Sequence, residues 1–153
     1  MAFAAALRAS AADRSDTVAR VGALRDRLVA ALVAASPQVV ETVPAAAGVA
    51  RVANIAHLCL RGVHREALLF RLDEQGVAAS AGSSCASGAL EPSHVAVALG
   101  LPPDLRQGTL RLSLGWTSTD AEVDWAIAVV SRAVIDLQGT APDGAGLDGL
   151  VAS

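Results

Sequence analysis

The stretch "NIAHLCL", residues 54–60, decides the predicted fold because it carries apolar residues at both sets of alternating strand positions. A strand that is apolar on both faces belongs inside a sheet and not at its edge. Further along, "TLRLSL" at 109–114 alternates strictly, with three leucines on one side and Thr109, Arg111 and Ser113 on the other. Together they predict a sheet with a central strand at 54–60 and a half-polar strand at 109–114.

Two long segments show the three- and four-residue spacing of amphipathic helices. The first runs from about residue 15 to 35, and its predicted buried stripe is Val18, Val21, Leu24, Leu28 and Leu32. Its opposite face is expected to meet solvent and carries Arg20, Arg25, Asp26 and Arg27. The second runs from about residue 119 to 138, where Thr119 and Glu122 have capping-box spacing. Its apolar stripe is Val123, Ile127, Val130, Val134 and Leu137.

The remaining predicted elements are short: strands at 38–43 and 77–79, and helices at 1–12, 63–76 and 91–100. The helix at 63–76 is expected to bury Leu68, Leu69 and Leu72 and to end at Gly76. A connecting loop is predicted at 44–53 and a turn segment at 101–108. This order predicts a small two-layer α/β (α+β) domain, in which a short mixed or antiparallel sheet packs against helices. Residues 1–137 form this predicted domain, and the Gly- and Ala-rich residues 138–153 are predicted to be a disordered tail.

Charge and composition exclude several classes of function. The net charge of −3 gives no basic field for direct nucleic-acid binding or for an anionic membrane surface. No apolar run is long enough to cross a bilayer, and "MAFAAAL" lacks the basic start of a signal peptide. The cytoplasm is therefore the expected location. All 12 basic residues are arginines, so none of the 153 residues is lysine.

The segment "SAGSSCASG", residues 80–88, surrounds Cys85 with serine, glycine and alanine only. Such a run has no large side chains for a core, so it suits a thiol that is presented or moved. A reactive cysteine and an ordinary small residue remain equal alternatives from this segment alone. The other cysteine, Cys59, is predicted to be a buried strand residue, and a disulfide between the two is not expected.

Arg111 is the second candidate for chemistry. It is either an ordinary surface arginine or a planar fork that binds a carboxylate or phosphate. Of the histidines, His57 and His64 are predicted to be structural, whereas His94 in "EPSH" lies near the cysteine segment and is a candidate for orienting it. Trp125 lies away from its helix's apolar stripe, which predicts a docking surface or a ring covered by the tail.

The segments "SAGSSCASGALEPSHVAVALGL" and "GTLRLSLGWTSTDAEVDWAI" resemble the C-terminal part of NifS/IscS-type cysteine desulfurases, which belong to the class V aminotransferase superfamily. "NIAHLCLRGVHREALLFRLDEQGVAAS" is similar to the segment that precedes the cysteine loop there. The resemblance covers roughly residues 7–137. It implies the small C-terminal domain of a pyridoxal-phosphate (PLP) enzyme, with the helix that leads into it.

The resemblance implies roles for two residues. Cys85 matches the nucleophile that takes sulfur from L-cysteine as a persulfide and releases L-alanine, and Arg111 matches the arginine that binds the substrate carboxylate. Ser83, Ser84 and His94 are not assigned roles by the resemblance; they are candidates for shaping or orienting the cysteine loop because they lie in it or close to it. The sulfur would then serve iron–sulfur cluster assembly or tRNA thiolation.

The chain departs from that family in lacking the lysine that holds PLP. We therefore expect it to be part of a larger or split enzyme and to be inactive alone. The resemblance implies three partners: a PLP-binding large domain, a sulfur acceptor (a scaffold protein or a tRNA thiolase), and a second copy in a homodimer. A non-enzymatic persulfide carrier or interaction module and an inactive fragment are the alternatives. His57 and Cys59 also replace a usual Asn-x-Ser, and Leu112 stands where phenylalanine is common.

Overall fold

The computed structural model describes residues 2–81 and 94–139. These ranges contain three strands and six α-helices, together with a single 3-10 turn at Ala45–Ala47. The strands are β1 (Val39–Glu41), β2 (Ile55–Leu60) and β3 (Thr109–Ser113). The helices are α1 (Ala2–Ala12), α2 (Arg14–Ala35), α3 (Arg65–Glu74), α4 (His94–Ala98), α5 (Pro103–Arg106) and α6 (Asp120–Gly139).

The three strands form one antiparallel sheet in the order β1-β2-β3. The central position predicted for residues 54–60 is confirmed, since β2 pairs with a neighbour on each side. In the β2–β3 ladder Leu58 lies opposite Leu110, and His57 lies opposite Arg111. With helices packed on the sheet, the α+β class that the sequence predicts is confirmed.

The core lies between the leucine face of the sheet and a helical layer formed by α2, α3 and α6. Leu58 and Leu110 are completely buried on the sheet side. The helices contribute the buried apolar residues Val21, Leu24, Leu28, Leu32, Leu68, Leu72, Val123, Val130 and Val134. These are mostly the positions that the helical spacing predicts, because each faces the same layer of sheet leucines. Leu69, Ile127 and Leu137 are only partly buried against this core.

Two predictions on α2 are wrong. Val18 is half exposed, because it lines an open surface groove with Val52 and Trp116 instead of meeting the core. Arg25, predicted to face solvent, is 5% exposed. Its guanidinium lies 3.4 Å from the Glu41 carboxylate and 3.1 Å from that of Asp26, and such pairing is what allows a charge to be buried.

Three shorter segments also differ from prediction or refine it. Residues 77–79 form no strand in the described chain; only Ser80 makes an isolated bridge to β3. The predicted turn at 101–108 contains the short helix α5, which Pro103 begins without losing any helical hydrogen bond. Gly76 ends α3 with φ of 73°, a left-handed conformation that glycine adopts without strain, as predicted.

The last helix is close to its prediction. Thr119 Oγ1 accepts from the Glu122 amide, and the Glu122 carboxylate accepts from the Thr119 amide, which completes the predicted capping box. Trp125 points away from the core and is 55% exposed. Residues 140–153, most of the predicted tail, lie outside the described residues. No described helix is long and apolar enough to span a membrane.

Candidate active site

The candidate site lies on the polar face of the sheet, opposite the leucines. Side chains alternate along a strand, so residues one position away from Leu58 and Leu110 point to the other side. His57 and Arg111 are therefore neighbours on this face, because they are direct partners in the β2–β3 ladder. The alternation predicted for residues 109–114 is thus confirmed, and it brings a histidine beside Arg111.

Arg111 is exposed, and its guanidinium has neither an acidic partner nor another hydrogen-bond partner among residues 2–81 and 94–139. The adjacent leucines fix its backbone within the sheet, so its fork of donors projects from a rigid element. A planar guanidinium of this kind binds carboxylates and phosphates through two oxygens. The geometry is therefore compatible with the anion-binding alternative for this residue.

The chain that enters the cysteine segment is tied directly to Arg111. The Ser80 amide donates to the Arg111 carbonyl at 3.1 Å, and the Arg111 amide donates to the Ser80 carbonyl at 2.6 Å. The Thr109 hydroxyl, itself buried, donates to the carbonyl of Ala81 at 2.9 Å. Three hydrogen bonds thus hold residues 80–81 against β3, four positions before Cys85.

The chain leaves the cysteine segment at α4, whose first residue is His94. This side chain is exposed and has no hydrogen-bond partner within the described residues. Cys85, Ser83 and Ser84 lie outside the described residues, so their predicted roles remain predictions. The helix start predicted close to His94 agrees with the structure, and its role in orienting the loop remains a prediction because the loop lies outside the described residues.

His57 is half-buried and is held by Thr42, the residue that follows β1. The Thr42 hydroxyl oxygen lies 2.7 Å from His57 Nδ1, and the Thr42 amide donates to the His57 carbonyl at 3.0 Å. Burial lowers the pKa of the imidazole below its ordinary value, and the nearby Arg111 charge lowers that pKa further. The ring is therefore neutral at neutral pH. The sequence predicts a structural role for His57. Strand alternation nevertheless places its side chain on the same face of the sheet as Arg111.

Cys59 confirms the prediction of a buried, free cysteine. Its sulfur lies 3.3 Å from the Thr42 hydroxyl oxygen. Burial raises the pKa of the thiol, and the hydrogen bond with Thr42 offsets only part of that increase. The group therefore stays protonated and inaccessible, which excludes it as the nucleophile while the sheet is intact.

Comparison with known proteins agrees with this fold. The family model described as aminotransferase class-V matches residues 1–125. The chain belongs to this family. An IscS-like cysteine desulfurase from Mycobacterium tuberculosis is 43% identical over 116 residues, which are 76% of this chain and 29% of that protein. The cysteine desulfurase NifS of Azotobacter vinelandii is 40% identical over 122 residues, which are 80% of this chain and 30% of that protein.

Solved structures show the same fold as this class-V aminotransferase chain. A NifS-like protein from Rickettsia africae matches 81% of the chain with a TM-score of 0.66 and 21% sequence identity. A second NifS-like protein matches 87% of it with a TM-score of 0.71 and 20% identity. The chain spans about 30% of the length of the curated relatives and of these structures.

The family implies PLP, but the residues present do not fit its covalent attachment, because none of the 153 is lysine. Nor do the described residues contain a cluster of three His, Cys, Asp or Glu side chains that could hold a metal ion. What the described face of the sheet offers is a fixed cation at Arg111, a neutral imidazole at His57 and an anchored entry to the cysteine segment.

Proposed function

We propose that this chain is the sulfur-accepting part of a cysteine desulfurase. In this proposal Cys85 takes the sulfur of L-cysteine as a persulfide, and Arg111 binds the carboxylate of the same substrate. The observation that carries the proposal is the pair of backbone hydrogen bonds between Ser80 and Arg111. They place the entry of the cysteine segment on the very residue that would hold the substrate.

Chain geometry limits how far the thiol can lie from this anchor. Cys85 is the fourth residue after Ala81, and four residues of chain span at most roughly 14 Å even when fully extended. The nucleophile is therefore restricted to the neighbourhood of β3. A substrate that is bound at Arg111 through its carboxylate would present its sulfur a few bonds away, within this range.

The atoms and electrons of the proposed sulfur transfer balance without an external oxidant. The Cys85 sulfur, as a thiolate, attacks the substrate sulfur, so an S–S bond forms and the substrate Cβ–S bond breaks. The electron pair from the broken bond remains on Cβ. This carbon takes up a proton, and the product L-alanine is released. PLP supplies the electron withdrawal that such a bond cleavage needs. Because this chain has no lysine, we assign the cofactor to a lysine-bearing large domain and no step of it to the residues described.

Arg111 contributes binding and orientation. Its charge would fix one end of the substrate on a rigid strand, which reduces the orientational freedom that is lost on the way to the transition state. Its position in the middle of β3, with buried leucines on either side, keeps the backbone of Arg111 in one place. Iron–sulfur cluster assembly and tRNA thiolation both remain proposed destinations for the sulfur, and a scaffold protein or tRNA thiolase remains its proposed acceptor. We also propose that the assembled enzyme is a homodimer and works in the cytoplasm.

Persulfide loading tests the role of Cys85. The full chain is incubated with a small-molecule persulfide, and intact mass spectrometry follows a gain of about 32 Da, one sulfur atom on a thiol. We expect the gain in the wild type and in Cys59→Ser, and we expect its loss in Cys85→Ser. A gain that persists in Cys85→Ser would contradict the assignment.

Alanine release separates a desulfurase from a passive carrier. The chain is fused behind the PLP-binding part of the Azotobacter vinelandii relative and supplied with L-cysteine. We expect L-alanine from the fusion, at least 100-fold less from the same fusion with Cys85→Ser, and none from the 153 residues with free PLP. A fusion that loads persulfide and holds PLP but releases no alanine would favour the carrier function instead.

A further inference from the structure

We propose that His57 is a second carboxylate-binding residue of the Arg111 site and donates from Nε2. The proposal rests on the proposed role of Arg111 as the carboxylate anchor. His57 and Arg111 are direct partners in the β2–β3 ladder, so their side chains emerge from the same face of the sheet. Directly opposed residues in antiparallel strands have Cβ atoms roughly 5 Å apart. A carboxylate that binds the guanidinium therefore lies within reach of the imidazole.

The hydrogen bonds behind His57 favour one of its two nitrogens as the donor. Thr42 lies between the imidazole and a buried thiol, with its hydroxyl oxygen 2.7 Å from His57 Nδ1 and 3.3 Å from Cys59 Sγ. Burial keeps the thiol protonated, so Cys59 is able to donate to the Thr42 oxygen. With Cys59 as the donor to Thr42, the hydroxyl hydrogen of Thr42 is available to donate to Nδ1. A neutral ring that accepts at Nδ1 carries its proton at Nε2.

The surroundings of Nε2 agree with a donor at that atom. An unprotonated Nε2 beside the guanidinium would attract a hydrogen bond from Arg111, and the described structure contains no hydrogen bond between these two side chains. Within residues 2–81 and 94–139, Nε2 has no hydrogen-bond partner at all. Two neighbouring donors without acceptors form a site for an anion.

The neutral state of the ring suits this role. A protonated imidazole opposite Arg111 would place two like charges in a direct cross-strand pair, which destabilises a sheet. A neutral donor adds a hydrogen bond to the carboxylate without that repulsion. His57 would thereby position the carboxylate on one side of the guanidinium and fix the direction in which the rest of the substrate points.

The tautomer is measured first, because it requires no mutation. Ring ¹⁵N–¹H correlation spectra of the full chain at neutral pH distinguish the two neutral forms of His57. We expect the Nε2–H form in the wild type, an altered tautomer ratio in Thr42→Val and Cys59→Ala, and no change in the control Thr117→Val, which is exposed and follows the end of β3. A wild-type ring protonated at Nδ1 would overturn the proposal.

Acetate then serves as the probe carboxylate, titrated into the full chain at constant ionic strength with chloride. We expect shifts in both the His57 Nε2–H and the Arg111 Nε–H resonances that saturate with one dissociation constant. His57→Phe should weaken acetate binding about fivefold, the effect of losing one hydrogen bond. His57→Asn, which restores a donor, should recover most of that loss, and Arg111→Gln should abolish binding.

The outcomes separate this proposal from the desulfurase assignment. Acetate that shifts Arg111 but leaves the His57 ring unchanged would overturn the role of His57 and leave the role of Arg111 intact. Saturating shifts that survive Arg111→Gln would also overturn it, since the carboxylate would then bind elsewhere. Failure of Cys85 to accept sulfur would refute the desulfurase function without changing either spectrum.

Discussion

The two faces of one sheet have opposite characters although they share every strand. Leu58 and Leu110 face the helices and are completely buried, whereas His57 and Arg111, each adjacent in sequence, face away from them. The leucine face is packed against α2, α3 and α6. The comparison shows how a strand of five or six residues can serve stability and chemistry independently, since neighbouring positions face different surroundings.

The test with the largest expected effect replaces two consecutive residues of β3, each in a separate variant. Leu110→Ala should lower the free energy of unfolding by about 2–5 kcal/mol, because it leaves a cavity between the sheet and the helices. Arg111→Gln should change it by less than about 0.5 kcal/mol, since an exposed side chain without a partner contributes little packing. Urea unfolding of both variants measures the difference. Equal losses would show that the polar face also belongs to the core.

A smaller effect is expected at Gly108, where β3 begins. Its carbonyl accepts from the Leu60 amide at 2.7 Å, and a Cβ at this position would overlap the Leu60 carbonyl oxygen. Gly108→Ala should therefore cost about 1–3 kcal/mol of unfolding free energy. Gly115→Ala is the matched control, because the nearest atom to its added Cβ lies 3.9 Å away. A control that loses as much would contradict the steric explanation.

Cys59 provides a kinetic test, since it points to the polar face and yet is fully buried. In a Cys85→Ser variant, iodoacetamide at pH 8 should modify Cys59 at least about 100-fold more slowly in buffer than in concentrated urea. Burial blocks access to the sulfur, and the raised pKa of the thiol keeps it protonated. Similar rates in the two solutions would mean that this part of the polar face opens readily.

The smallest expected effect is a dependence of stability on pH through His57. Its pKa is lowered in the folded state by burial and by Arg111, so the unfolded chain binds more protons as the pH falls below the ordinary value of 6.5. His57 should therefore reduce the free energy of unfolding on acidification through that range. His57→Asn should remove this part of the slope, and Arg111→Gln should reduce it. A slope that is unchanged in His57→Asn would contradict the shift.

The sequence predicted the elements whose signals are local and repeated. The alternation at 109–114 and the apolar stretch at 54–60 located β3 and the central β2, and Thr119 with Glu122 located the start of α6. Such signals report which side of an element is buried. They fail where a distant partner changes the environment. Arg25 is an example, because its guanidinium is buried next to the Glu41 carboxylate of another element.

The site was predictable to a similar extent. The alternation of β3 correctly placed Arg111 on the face away from the leucines. The contacts of His57 with Thr42 and Arg111 depend on strand register, which is set by pairing between separate segments: Thr42 lies 15 positions from His57, and β2 and β3 pair across about 50 positions. A composition-based view of a lone histidine in an apolar strand therefore favours a structural role.

The hydrogen bonds between Ser80 and Arg111 would have a consequence for the rate of the proposed sulfur transfer. Chain length keeps a thiol that lies four residues beyond a fixed point within roughly 14 Å of that point. The proposed substrate site at Arg111 lies in the same volume. One molecule in that volume corresponds to an effective concentration on the order of 0.1 M. Under the proposed function, a dissolved thiol at a concentration well below this value would compete poorly with the tethered thiol, without any enhancement of the intrinsic reactivity of Cys85. If Cys85 is the sulfur acceptor that we propose, the two backbone hydrogen bonds between Ser80 and Arg111 would favour transfer to this thiol over transfer to thiols in solution.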